Sequence, residues 1–292
     1  VITWAVRTVE RLVALDAERG ARASLPAVRA ALRSLPAPAA APTRDELAAL
    51  AELYEVAGWI LFDAGRYGAA HRMNARALDL AGRGGDRWTA RFVLLNHSML
   101  KAHTGEPGSA LDAAARTAGA RPLPARVGSL VLVRQAHAIA MLGGRTESTA
   151  LISRAHSRFQ DGISRHDPHW AWWFDETELI GHQGWVHARL HDWDRALPLL
   201  HRAATAPGPA YRKLFTAQLL AAFAGAGAWR DAGDLIERIA PDAARIGSVR
   251  TTETLGRTAA LLLRRTDVPP ALRDAAAHLL ECLPRGQRDP AA

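Results

Sequence analysis

The chain has one cysteine in 292 residues, Cys282. That excludes an internal disulfide framework and fits a reducing, cytoplasmic setting. Lysine is almost missing too: only Lys101 and Lys213 occur, and every other basic residue apart from histidine is arginine. No apolar run approaches the ~18 residues that a membrane-spanning helix requires. The longest lies near Leu219–Trp229. No basic-then-apolar leader opens the chain. Alternating β-branched and aromatic runs are absent, with Val127–Val133 the one stretch that imitates a strand. These absences exclude a disulfide scaffold and a helical membrane protein, and they argue against a sheet-based fold.

Alanine fills about a fifth of the chain, and with arginine it gives the composition of a GC-rich genome. Lys+Arg is 37 against 29 Asp+Glu, a net charge of +8. A basic surface attracts polyanions nonspecifically. The arginines are nevertheless scattered, with no run of five basic residues that would mark a nucleic-acid tract. The length suits one large domain or two small ones, with a core that needs no metal to hold it. Ala, Leu and Arg are good helix formers. Apolar residues recur at helical spacing, as in Leu47, Leu50, Leu53, Tyr54, Ala57 and Leu61. The pattern predicts an all-α protein.

An internal repeat accompanies it. Short breaks, each followed by a helix start, occur at Gly65-Arg66-Tyr67, Gly105-Glu106-Pro107, Gly144-Arg145-Thr146, His191-Asp192-Trp193 and Gly227-Ala228-Trp229. Glycine suits the left-handed residue that ends a helix. Pro107 suits the first turn of the next helix, and the Asp192 carboxylate is expected to cap one. Tyr67, Pro107, Thr146, Trp193 and Trp229 are separated by 40, 39, 47 and 36 residues. Five helical hairpins follow, at roughly 44–82, 86–118, 124–160, 171–206 and 209–244. Gly58, Ala70 and Ala77 are spaced by 12 and 7, and so are Gly184, Ala196 and Ala203. Small residues there let paired helices approach closely, with Tyr54, Leu61 and Ile180 filling the seams. This is a tetratricopeptide-like pattern, and such hairpins stack into a right-handed α-solenoid because none can bury its apolar face alone. The expected organisation is an N-terminal helix pair over 1–35, with helices at about 3–19 and 25–34, a Pro/Ala linker over 36–43, the repeat array over 44–250, and capping helices with a tail over 251–292.

The segments Glu52–Asp63 and Asp167–Leu179, the latter followed by His182 and Gly184, carry a resemblance. They resemble a group of actinobacterial Xre-type helix-turn-helix transcriptional regulators, over about Val1 to Arg264. The resemblance implies a tetratricopeptide-like domain preceded by a DNA-binding domain. The Ala-x-x-x-Gly turn of a DNA-reading pair is not found in Ala14–Leu32. Any DNA contact is therefore expected from a domain outside this sequence, and the start at Val1 rather than Met suggests a missing upstream segment.

The concave wall of such an array is built by the first helix of each hairpin. Glu52, Glu55, Trp59 and Phe62 are expected to face it, as are Glu178, Trp185 and Arg189. Asp175 and His182 share a helix face with Glu178, and Arg134 is expected to point inward. The candidate ligand-binding set is Glu55, Trp59, Arg134, Asp175, Glu178, His182 and Trp185. A solvated carboxylate face, with both tryptophans packed between repeats, is the competing reading. Trp170, Trp172 and Trp173 either form an aromatic wall or cover the polar insert Asp161–His169, and at least one should stay partly exposed. His187 and His191 have a workable zinc spacing, but no His-Glu-x-x-His or second cysteine supports them, and no metal or cofactor is assigned. Gly82–Gly85 lacks the Lys-Ser/Thr of a phosphate loop and reads as a connector. Cys282 reads as a buried residue of a capping helix.

These features point to an effector domain that binds a peptide or small molecule, with a partner protein or homodimer as a further contact. Alternatives are a protein–protein adaptor and an enzyme using the groove, where Asp175, Glu178 and His182 would supply acid–base chemistry.

Overall fold

The computed structural model describes residues 1–36, 41–119 and 122–284. Part of the expected linker and the tail after residue 284 lie outside these residues. Among them the protein is helical throughout, with fourteen α-helices and no strand. No helix among them is long and apolar enough to cross a membrane.

The helices are α1 (Ile2–Arg19), α2 (Ala21–Arg33), α3 (Arg44–Asp63), α4 (Tyr67–Gly84), α5 (Arg87–His103), α6 (Pro107–Ala115) and α7 (Ala125–Met141). They continue as α8 (Arg145–Phe159), α9 (Glu176–Arg189), α10 (Trp193–Thr205), α11 (Lys213–Ala226), α12 (Trp229–Ile239), α13 (Val249–Arg264) and α14 (Pro270–Cys282). Val127–Val133 is helical, as its neighbours' spacing requires. Starts are set by side chains that satisfy the unpaired N–H groups of a first turn. Thr43 and Glu46 cap α3 reciprocally, Asp86 caps α5 through the amides of Trp88 and Thr89, and Ser248 caps α13.

Three expected local details differ. The left-handed residue after α7 is Gly143, not Gly144, because the turn closes one residue earlier. Asp192 occupies the N-cap of α10 without capping it. Its carboxylate accepts from His187 Nδ1 at 3.1 Å and from Arg195 at 3.3 Å. There His191, with φ of 57°, takes the left-handed turn that glycine makes elsewhere. Helix α2 begins at Ala21 rather than near residue 25, because Gly20, with φ of 79°, reverses the chain in one residue.

Each consecutive pair from α3/α4 to α11/α12 packs together, and each pair also meets the next. The Gly/Ala spacing acts as expected at two seams. A Cβ on Gly58 would stand 2.6 Å from Asn74 Oδ1, and one on Gly184 would stand 2.9 Å from the Leu200 backbone nitrogen. Ala70, Ala77, Ala196 and Ala203 are all buried. The two helices of a pair are not equivalent. Thirteen of the 20 residues of α3 are buried, against five of 18 in α4.

The terminal helices pack on the end hairpins, and the start of α13 also reaches back to α3. Helix α1 packs on α3, and α13 packs on α11. Asp63, the last residue of α3, accepts from Ser248 Oγ at 2.8 Å and from Arg250 Nε at 2.6 Å. Tyr67 donates to Glu253 at 2.9 Å, and the Arg22 amide bonds the Gly247 carbonyl. Cys282 is half-buried rather than buried, because it lies in the last turn of the outermost helix.

Candidate functional site

Residues of α1, α3, α5, α7, α9, α11 and α13 converge on one cavity of about 300 Å³. Every odd-numbered helix contributes to its wall, and no even-numbered helix does. On α1, α3 and α5 the contribution is mainly apolar with Asp16, Glu55 and Asn96 set into it, whereas α7 supplies only Arg134, α9 only Glu178 and His182, and α13 only Arg250. Leu214 and Phe215 of α11 add an apolar face.

Five of the seven expected residues line this cavity: Glu55, Trp59, Arg134, Glu178 and His182. Asp175 and Trp185 do not. Asp175 caps α9 through the Glu178 amide and reaches the wall only through Arg212. Trp185 stacks on His182 and borders a separate hollow of about 20 Å³ with Arg189 and His137. Phe62 is buried between Trp59, Tyr67 and His103 and does not reach the cavity. A solvated carboxylate face is not what forms, since Glu55 and Glu178 are 1% and 4% exposed.

Burial sets the chemistry of the carboxyls. Glu55 accepts a short hydrogen bond from Asn96 Nδ2, a neutral partner, and burial pushes its pKa up to about 8. Glu178 is raised to about 7 by burial, against the pull of Arg212 Nε at 2.9 Å. Arg212 also donates to Asp175 at 2.5 Å. Asp16 is raised to about 7 by burial and by Asp63 nearby, while Arg250 and the Trp59 side chain oppose the rise.

The histidines behave oppositely. Burial, with positive neighbours, holds both His137 and His182 neutral. Arg134 can only donate. His182 Nε2, 3.4 Å from Arg134 Nη1, is therefore the acceptor, and its proton sits on Nδ1. That Nδ1–H donates to His137 Nε2 at 3.0 Å, which leaves the His137 proton on a buried Nδ1 without a partner. Arg134, Nε-bonded to the Leu95 carbonyl at 3.2 Å, thus fixes both tautomers.

Aromatic rings form one end of the cavity. The tryptophan cluster is a 3-10 turn, His169–Trp173, separated from α9 by the Asp175 cap rather than opening the helix. Trp170 is buried and stacks on Phe92 with centroids 4.5 Å apart and planes 5° from parallel. Trp172 is 59% exposed at the rim. His169 Nε2 donates to Glu52 Oε1 at 2.9 Å, joining this turn to α3 across the rim. The cluster therefore lines the cavity and packs on Phe92 of α5, with Trp172 the ring that stays exposed.

Sequence reading missed Asn96, Asp16, Arg250 and Arg212. Asn96 carried a readable signal, one amide within the stripe Phe92, Asn96 and Met99; Asp16 repeats it after Val9 and Val13. Arg212 had none, because it sits in a short turn after Pro209 with no periodic context. His187 bonds Asp192 while His191 stacks on Trp193, so the two rings serve different contacts. No cluster of three or more metal-ligating side chains occurs among the described residues. No protein-family model matches the sequence, and no curated protein matches it.

Proposed function

We propose that the chain is a tetratricopeptide-like, right-handed stack of helical hairpins wrapped around a small-molecule site, and that it senses an effector for a transcriptional regulator. One observation carries the binding reading. Seven helices converge on a cavity of about 300 Å³, at the lower end of the range for small-molecule sites. Its wall is mostly apolar and aromatic, and buried polar atoms of Asp16, Asn96 and Arg134 lack partners. Such atoms are costly unless something bonds them. So small a volume, walled by seven helices, favours a small molecule over an extended peptide.

A ligand touching α1, α3, α9 and α13 together would favour the arrangement in which the chain's ends meet. That is a route from effector to a DNA-binding domain or partner. Native mass spectrometry of the chain from its own host, followed by denaturation, tests the reading. A mass lost on denaturation, and no longer retained by Trp59→Ala, supports it. Retention unchanged in Trp59→Ala moves the site elsewhere.

Glu178, poised near neutrality with its Oε2 3.9 Å from His182, favours a second reading, acid–base catalysis in the same cavity. Under it, Glu178→Gln keeps the bound molecule but leaves it chemically unchanged, while the native chain converts it.

A further inference from the structure

Three arginines line the cavity, and two of them are neutralised in place. Arg212 pairs with Glu178 and Asp175. Arg250 pairs with Asp63 at 2.6 Å and lies over the rings of Trp59 and Phe62. Arg134 differs. It is 2% exposed, and among the described residues it forms no ion pair. Its bonds go to a carbonyl and a neutral imidazole, and its Nη2 is buried without a partner.

A buried charge without a counter-charge is among the costlier arrangements in a protein. Guanidinium offers a planar fork suited to an oxyanion, and one arm of this fork is already held by His182. The same cavity wall holds Trp59, Phe92 and Trp170, an aromatic lining that suits a flat apolar body.

Resting on the binding reading above, we propose that Arg134 receives the carboxylate of a small aromatic acid whose ring system lies along Trp59, Phe92 and Trp170. The two buried glutamates of the wall do not oppose this. Burial keeps Glu55 protonated at neutral pH, so it presents no negative charge to the ligand. Glu178 is occupied by Arg212.

Calorimetric titration of the full chain with β-naphthoate, β-naphthamide and β-naphthylmethylamine at neutral pH tests this. The three probes share a ring system and differ in charge. Naphthoate is expected to bind about 10-fold or more tighter than the amide, since a pair of opposite charges replaces a hydrogen bond from the cation to a neutral acceptor. Arg134→Gln should bring the two within about 2-fold while amide binding persists, which also shows that the variant is folded. If Arg134→Gln does not fold, the ranking in the native chain decides alone. Amide or amine binding as tightly as the acid overturns the carboxylate assignment and leaves the small-molecule reading standing. No binding by any of the three overturns the aromatic-acid assignment and leaves the small-molecule reading to the mass measurement above.

Discussion

The first and fourth hairpins share the same spacing of small residues, and each sets a buried glutamate into the cavity wall. Their partners differ. Glu55 meets an amide, and its pKa rises to about 8; Glu178 meets a guanidinium, and its pKa rises only to about 7. Equal burial thus yields one carboxyl that is a neutral donor at pH 7 and one that is half of an ion pair. The two acids hold different register positions, three residues before Gly58 and six before Gly184, yet both reach the wall. The neighbouring helix decides what charge each carries.

Removing the guanidinium is the largest way to break that contrast. Arg212→Met leaves Glu178 and Asp175 without their shared cation. A loss of ~3–5 kcal/mol in denaturant unfolding is expected, because one buried charge remains uncompensated. Glu178→Gln added to it should restore much of that; no restoration would mean that Arg212 acts through packing alone.

The two glycines come next. Gly184→Ala drives a Cβ into the Leu200 backbone, whereas Gly58→Ala meets a side-chain oxygen that can rotate. The first should cost ~1–3 kcal/mol and the second less. Equal losses would show the two seams to be equally rigid.

pH sharpens the comparison further. Glu55 holds a proton in the folded state that the unfolded chain releases near pH 4. Its contribution is therefore full below that point and is lost as pH rises to about 8. Asp16 and Glu178 follow the same sign up to about 7. His137 and His182, held neutral, act oppositely, and their penalty grows as pH falls below about 6.5. Between pH 6.5 and 8 the carboxyls therefore dominate among these groups, and stability should fall by at most ~1.4 kcal/mol per pH unit for each. Glu55→Gln should flatten that slope more than Glu178→Gln does, as read from urea midpoints across the window.

The smallest effect belongs to the rim. His169 and Glu52 form a largely exposed pair, and Glu52→Gln should change stability by less than ~1 kcal/mol. A thermal melt shifted well beyond that would mark the pair as holding the tryptophan turn to α3.

The residues show why some of this was readable in advance. Arg134 stood out because it interrupts the apolar stretch Val127–Ala140. The Gly/Ala spacing was legible because close helix approach tolerates few residue types. The Asp192 cap was misread because His187, one turn back, competes for the same carboxylate. The contacts of Asp63 with Ser248 and Arg250 join positions 185 and 187 residues apart, and no local period reports them.

Those last contacts also bear on how the protein comes into being. An open run of repeats can fold and fray one unit at a time from either end. Here the third arginine of the pocket is residue 250, and its partner Asp63 belongs to the first hairpin. During synthesis Asp63 must wait for its partner until residue 250 has been made, 187 residues later. The cavity wall is therefore completed late, in a long-range step that is expected to be slow. Stretches of the growing chain that are stable on their own still lack the pocket.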